Sequence, residues 1–351
     1  MIHRDIYQQS LYEFFAPIRG FLDDDSVSEI MINGPHQIWL ERRGKIVPVA
    51  DRFDSVEDVM CALRNLAQFV GKRLDERHPL LEARFPDGSR VQAVIAPVAE
   101  DGPYVSIRRF QKANFSLARL VEVGTISPAL AELLARYVQE KRNILIGGGT
   151  GSGKTSLLNA LTGCIPEDER VVVLEDSREV QVQRPHALSL ETRPADARGE
   201  GGVSLRELFR ASLRMRPDRI VIGEVRGGEA LDLIQAMVSG HGGCLGTVHA
   251  THPRDTLTRL ETMALMGGLD LPLAALRSQL ASGANVLVQV SRRADGARVV
   301  TEISELHGYD AVQQRYDLRP VFARGEHEEA VGARAMSDNR LSAAAPGASS
   351  P

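Results

Sequence analysis

The chain of 351 residues has room for two domains. With 43% apolar and 25% charged residues it can build a core, which excludes wholesale disorder. Its formal net charge of −4 argues against a protein that grips nucleic acid by bulk charge, although a local basic channel stays open.

The first elements alternate helix and strand. Residues 5–19 carry Ile6, Leu11, Phe14, Phe15 and Ile18 at helical spacing. Residues 28–33 read as a strand that ends at the turn signal Asn33-Gly34-Pro35. Residues 38–49 predict a hairpin turning near Arg43-Gly44. Ser55 and Asp58 open an amphipathic helix that runs to Val70 and is closed by Gly71. Two further strands, 90–98 and 104–110, are joined through Glu100-Asp101-Gly102-Pro103. Together these predict a smaller α+β N-terminal domain over residues 1–110. Residues 111–126 are polar and aperiodic and read as a linker.

Beyond the linker, Ser127 caps a helix with Pro128 at its first position, running to about Lys141. Strands and helices then alternate. Strand 143–147 leads through a glycine loop to helix 154–162, and strands 170–175 and 187–191 follow. Ser204 and Glu207 form a capping box for the next helix. Strand 219–223, helix 228–238, strand 244–249 and helix 253–264 complete the series. This α/β alternation implies a mainly parallel sheet covered on both faces. Residues 285–290 and 297–304 form a closing hairpin around Ala294-Asp295-Gly296. The second domain is thus expected over 127–324. The tail 325–351 is rich in Ala, Ser, Gly and charge and is expected to be disordered. No internal repeat occurs.

Cys61, Cys164 and Cys244 make no zinc spacing and no disulfide framework, and read as small buried thiols. No run of 18 apolar residues spans a membrane, and the N-terminus lacks the apolar centre of a signal peptide. A cytoplasmic protein that docks on a membrane partner is expected.

The strongest chemical signal is Gly148-Gly149-Thr150-Gly151-Ser152-Gly153-Lys154-Thr155, which fits G-x-x-x-x-G-K-[ST] between a strand and a helix. Such glycines let backbone N–H groups turn inward around phosphates, helped by the helix N-terminus. Lys154 is expected to reach the β/γ-phosphates, Thr155 to offer its hydroxyl to Mg²⁺, and Ser156 to join the nucleotide contacts. Glu224 ends the strand RIVIG, where open parallel sheets place ligands. Gly223 stands where many phosphate-loop proteins carry a magnesium-binding Asp, so Glu224 reads as the activator of the attacking water. Glu175, Asp176 and Glu179 follow another strand. Carboxylates so near a phosphate site repel the nucleotide without Mg²⁺, which makes Glu175 and Glu179 metal candidates beside Thr155, and Glu179 is a catalytic candidate too, with Glu224, Lys154, His241 and His249. His241 and His249 bracket the strand CLGTVH. One can sense a γ-phosphate and the other a neighbouring subunit.

The order of phosphate loop, LEDSRE, PDRIVIGEVRGGEALD and GHGGCLGTVHA resembles the type II/type IV secretion ATPase superfamily. The eight-residue histidine spacing is similar to its conjugation and tight-adherence branches. ETRPAD, THPRDTLTRLETMALMGGLDLPLAALRSQLASGANVLVQVSR and the N-terminal EIMINGP, RLDERHPLLEARFPDGSRVQAVIAP and VSIRRF most resemble the CpaF group, ATPases of tight-adherence (Flp) pilus assembly. The resemblance covers about residues 25–310. It implies a RecA-like ATPase domain behind an N-terminal domain, ATP and Mg²⁺ bound between the two, and a homo-hexameric ring. It implies an inner-membrane platform protein as partner and a peripheral position at that membrane. It offers Arg90, Arg108 and Arg109 as phosphate-reaching arginines. Arg193, Arg214, Arg216 and Arg226 lie in matching segments without a role that can be fixed.

The leading expectation is a mechanochemical ATPase powering pilus assembly or secretion. A conjugation or type IV secretion traffic ATPase has the same chemistry and a different cargo. A nucleic-acid translocase is disfavoured by the acidic balance, the single Trp and the lack of a basic aromatic run. A non-hydrolysing binder is disfavoured because Lys154, Thr155, Glu224, His241 and His249 are all intact.

Overall fold

The computed structural model describes residues 11–42, 44–110, 116–195, 199–268 and 271–325. Nearly all of the expected tail, the start of the first helix and residues 111–115 of the expected linker lie outside these. The chain divides into two compact units, one through Ala113 and one from Asn114.

The N-terminal unit opens with a helical turn, Ala16–Ile18, and the short helix α1 (Arg19–Leu22). Its strands are β1 (Val27–Asn33), β2 (Ile38–Arg42), β3 (Lys45–Val49), β4 (Leu80–Arg84), β5 (Arg90–Val94) and β6 (Tyr104–Arg108). They form an antiparallel sheet in the order β3-β2-β1-β6-β5-β4. Helix α2 (Val56–Phe69) starts at Ser55, whose side chain accepts from the Asp58 N–H. Val59, Ala62, Leu63 and Leu66 recur at helical spacing and pack with Ile30, Ile32, Val91 and Ile107 in one core. Gly71 ends the helix region at φ +70. Strand β4 escapes a reading of periodicity. It is an edge strand with only Leu81 and Ala83 buried.

The second unit begins earlier than expected. Residues Leu117–Glu122, assigned to the linker from sequence, form helix α3, capped by Ser116. Leu120 is buried in the core shared with the next helix, α4 (Pro128–Gln139). Two turns of helix are too short for their apolar spacing to stand out in the sequence.

Then follow β7 (Ile144–Gly148), α5 (Lys154–Thr162), β8 (Val171–Glu175), β9 (Ala187–Glu191), α6 (Leu205–Ser212), β10 (Arg219–Val225), α7 (Glu229–Val238), β11 (Leu245–His249), α8 (Pro253–Leu265), α9 (Leu273–Gly283), β12 (Val286–Arg292), β13 (Arg298–Asp310) and β14 (Arg315–Ala323). The sheet runs β14-β13-β12-β7-β11-β10-β8-β9. From β12 to β9 every pairing is parallel. The β12–β13 and β13–β14 pairings are antiparallel. Each inner strand is apolar on both sides. Ile144, Ile146, Val173 and Val221 face one core with α4 and α5. Leu145, Leu174, Ile220 and Ile222 face the other with Phe209, Leu231 and Leu257. The sequence reading missed α9 and β14. β14 is an edge strand, and it carries Pro320 opposite Ser304. Cys244 is buried as expected, but Cys61 and Cys164 are only partly so.

Asn143 knots the lower end of this sheet. Its Oδ1 accepts from Cys244 N–H at 2.8 Å, and its Nδ2 donates to Gly283 O at 2.7 Å. Asn143→Ala leaves both groups buried without partners. It should cost about 2–4 kcal/mol and lower the melting temperature by several degrees. A melting temperature within one degree of wild type would contradict this role.

Candidate nucleotide site

Strand β7 runs straight into the glycine loop, and the loop is packed as tightly as a backbone allows. A Cβ on Gly147 would lie 2.6 Å from both Gln289 Oε1 and Thr256 Oγ1, and one on Gly148 would lie 2.7 Å from Val290 O. Gly151 and Gly153 hold φ values of +68 and +98, which side chains disfavour. Gly153 is the N-cap of α5 and offers no side chain to the helix N–H groups, so they face the loop interior. Ser152 Oγ donates to Gly149 O at 2.9 Å. Lys154 Nζ donates to Gly148 O at 3.0 Å and Gly149 O at 2.9 Å, which lays its charge along the loop. Thr150, Thr155 and Ser156 remain partly or fully accessible. Gly149 has open space where its side chain would be.

The parallel register brings the acidic candidates to the same edge of the sheet. His249 is opposite Gly148. Ala250 N–H donates to Gly148 O, and Gln289 Nε2 donates to Ala250 O at 3.1 Å. Glu224 lies on β10 and accepts from Arg226 Nη2 at 2.7 Å. The same guanidinium approaches Asp176 at 3.6 Å. Arg226, left without a role from sequence, therefore ties two carboxylates together. Its own pKa is raised, chiefly by the hydrogen bond to Glu224.

Glu175 fills the space that Gly223 leaves. A Cβ on Gly223 would lie 2.8 Å from Glu175 Cγ. A larger residue at 223 and a carboxylate at 175 thus exclude one another. Glu175 Oε1 accepts from the N–H groups of Glu179 at 2.9 Å and Val180 at 2.8 Å. Burial pushes its carboxyl up to about 7, and these two donors offset only part of the shift. Asn159 on α5 accepts from Gln181 N–H at 2.7 Å, which fastens the acidic loop to the helix that begins at Lys154. A buried Asn among apolar neighbours in KTSLLNALT was the signal for this bond.

Lys154, Thr155, Glu175, Glu179, Glu224 and His249 thus share the C-terminal edge of the parallel strands. His241 does not. It precedes β11 at the opposite end of the sheet, where Cys244 bonds Asn143. This separation agrees with the sequence reading of one histidine at each end of the strand, and only His249 is at the loop end. An eight-residue spacing across an extended strand must separate its two ends. Its Nδ1 is buried with no hydrogen-bond partner among the described residues.

Arg90 and Arg108 belong to the other unit, where they are cross-strand partners on β5 and β6. Arg109 lies just past β6, not on it. Its Nη1 donates to Val27 O at 3.1 Å and to Asp24 O, and its side chain is 7% exposed. These carbonyls occupy the guanidinium that the sequence reading offered to phosphate. Arg193 donates to Gly201 O at 2.5 Å. Arg214 and Arg216 precede β10, at the far end of that strand from Glu224.

Among the described residues no cluster of three or more His, Cys, Asp and Glu forms a ready-made metal cage. Mg²⁺ requires no such cage, because it takes one or two carboxylates and fills its shell with phosphate oxygens and water. Glu175 and the Thr155 hydroxyl are suited to that part.

The raised Glu175 carboxyl has a consequence for stability. The folded chain binds this proton more tightly than the unfolded chain. Stability is therefore lost as pH rises from the ordinary carboxyl range through about 7. Glu175→Gln keeps the acceptor for Glu179 and Val180 and removes the titration. Relative to wild type, its stability should improve progressively between about pH 5 and 7. Parallel denaturation curves for the two proteins across that range would refute this.

Comparison with known proteins gives the family. A family model for type II/IV secretion system proteins matches residues 13–315. A protein of Mycobacterium tuberculosis (strain H37Rv), provisionally named for conjugal transfer, is 39% identical over 295 residues, covering 82% of this chain and 83% of its own. The type IV secretion system protein VirB11 of Bartonella quintana is 33% identical over 338 residues, covering 85% and 92%. The solved structure of the Legionella pneumophila ATPase DotB superposes with a TM-score of 0.57 at 18% identity, covering 92% of this chain and 86% of that one, a likeness of fold alone. With the family model spanning most of its length, the chain belongs to the type II/IV secretion system protein family.

Proposed function

We propose that this chain is an ATP-hydrolysing motor with a RecA-like ATPase domain, working as a homo-hexamer that powers pilus assembly or secretion. The observation that carries the reading is the convergence of Lys154, Glu175, Glu224 and His249 on one sheet edge beside the glycine loop. The loop N–H groups and Lys154 bind the phosphates of ATP. Glu224, steadied by Arg226, orients the attacking water and takes its proton. His249, in register with Gly148, is set to respond to the γ-phosphate. Mg²⁺ held by Thr155 and Glu175, with Glu179 directly or through water, neutralises phosphate charge when bound. Arg90 and Arg108 are the candidates for further phosphate contacts.

Two cargoes fit this chemistry. The CpaF-like segments favour tight-adherence pilus assembly, with an inner-membrane platform protein as partner. The conjugal-transfer and VirB11 relatives favour a type IV traffic ATPase. Either role places the protein peripherally at the inner membrane, and no helix among the described residues is long and apolar enough to cross one. A prepilin and paired platform genes beside this gene would select the first reading. A coupling protein and a relaxase would select the second.

Lys154→Ala should abolish ATP hydrolysis and weaken nucleotide binding, because no backbone group replaces its charge. Glu224→Gln should bind ATP like wild type while turnover falls at least about 100-fold. Phosphate release and equilibrium binding measured side by side check both. If affinity in Glu224→Gln fell as far as turnover, Glu224 would be a binding residue.

Assembly is expected to follow the nucleotide. Ligand at about 100 times its Kd stabilises the form that binds it by about 2.7 kcal/mol, enough to shift a marginal ring. Light scattering should show a hexamer, more complete with a non-hydrolysable analogue. A monomer at micromolar concentration in both states, with full ATPase activity, would defeat the ring.

A further inference from the structure

The glycine loop has two flanks. His249, Glu224 and Glu175 occupy the side of β11, β10 and β8. The other side is β12, with Val290 in register with Gly148, and beyond it β13. Two arginines reach the loop from this second flank. Arg292 ends β12, and its Nη1 is 3.7 Å from the point where a Cβ on Gly151 would sit. Arg298 opens β13, and its Cδ and Cβ are 3.3 and 3.5 Å from the corresponding point on Gly153.

Arg292 and Arg298 are also direct partners across the β12–β13 ladder. Like charges placed opposite one another weaken a sheet. The acid in the intervening turn, Asp295, is 3.7 Å from Arg293. Among the described residues the Arg298 side chain makes no hydrogen bond or ion pair, and the residue is exposed. Two arginine side chains, one ending β12 and one opening β13, thus lie along this flank of the glycine loop.

We propose that Arg292 and Arg298 form the nucleoside-side wall of the nucleotide site, with the Arg298 guanidinium stacking on the base and Arg292 adding charge toward the phosphates. The assignment rests on the nucleotide reading of the loop. The acidic flank is suited to metal and water, and its carboxylates disfavour the electron-rich base. The base and ribose must then leave the loop past the start of α5, where Gly153 lies. The Arg298 stem packs on that glycine and brings a flat, delocalised cation to the exit. A guanidinium binds an aromatic face well, and an ammonium lacks its planar surface. Arg292 reaches the crest at Gly151, nearer the loop's phosphate-binding N–H groups.

The test compares two probes on the full chain, a non-hydrolysable ATP analogue and inorganic tripolyphosphate, which has no base. Arg298→Ala should weaken the analogue about five- to thirty-fold and leave tripolyphosphate within about two-fold. Arg298→Lys keeps the stem and the charge, and should lose most of the same preference, so the idea stays testable if the alanine variant folds poorly. Arg292→Ala should weaken both probes. If both Arg298 variants bind the analogue like wild type, or lose tripolyphosphate as strongly as the analogue, the stacking role is overturned. Unchanged binding of both probes by Arg292→Ala overturns its part. Wild type that binds neither probe overturns the nucleotide reading itself, and this wall with it. Wild type that binds both, with no effect of Arg298, overturns the wall alone.

Discussion

The close packing of β7 between β11 and β12 is the constraint on which the rest of the site depends. Gly147 and Gly148 have neighbours within 3 Å of any side chain they could carry. The strand therefore meets Gln289, Thr256 and Val290 at backbone distance. That closeness sets the height at which the loop leaves the sheet. It also sets where α5 begins and where Lys154 can lie. The parallel register then does the remaining placement. Once His249 is opposite Gly148, and Gly223 lies against Glu175, the acidic edge has little freedom left. Small residues at the centre of the sheet thus translate into position for charged residues at its rim.

Charge at this rim is arranged rather than neutralised. Glu175 is buried and held by two N–H donors, while Glu224 and Asp176 share Arg226. A carboxyl raised to about 7 and a carboxylate clamped by a guanidinium are two different environments within one sheet edge. Burial separates them, because Glu175 loses water contact and Glu224 keeps it in part.

The lower end of the same sheet has a structural character. Asn143 joins three segments through its side chain and backbone. Arg219 is wholly buried, donates to Glu169 and to Val138 O, and lies against Gly243, whose φ is +80. This network holds the loop that carries His241. A bond at one end of β11 and the loop at the other are thus two ends of a single rigid strand.

Much of this architecture was legible in the amino-acid order. The run from Gly148 to Thr155, the apolar strands before Glu175 and Glu224, and the caps at Ser55, Ser127 and Ser204 are local patterns. Local patterns survive in sequence because steric and hydrogen-bonding rules act over a few residues. Helix α3 and strands β4 and β14 were not legible. Each is too short, or too one-sided in its burial, for periodicity to mark it, and packing against the rest makes it form. The fate of the charged residues was also hidden. Nothing near Arg109 foretells that carbonyls more than eighty residues away will occupy it, or that Arg226 will join Glu224 to Asp176. The sequence placed His241 and His249 at opposite ends of one strand, and the parallel register decided that His249 is the one at the loop. The sequence by itself determined which segments fold and which groups carry charge. Tertiary structure alone decided which of those charges meet, because sheet register and burial bring together side chains that no local rule connects.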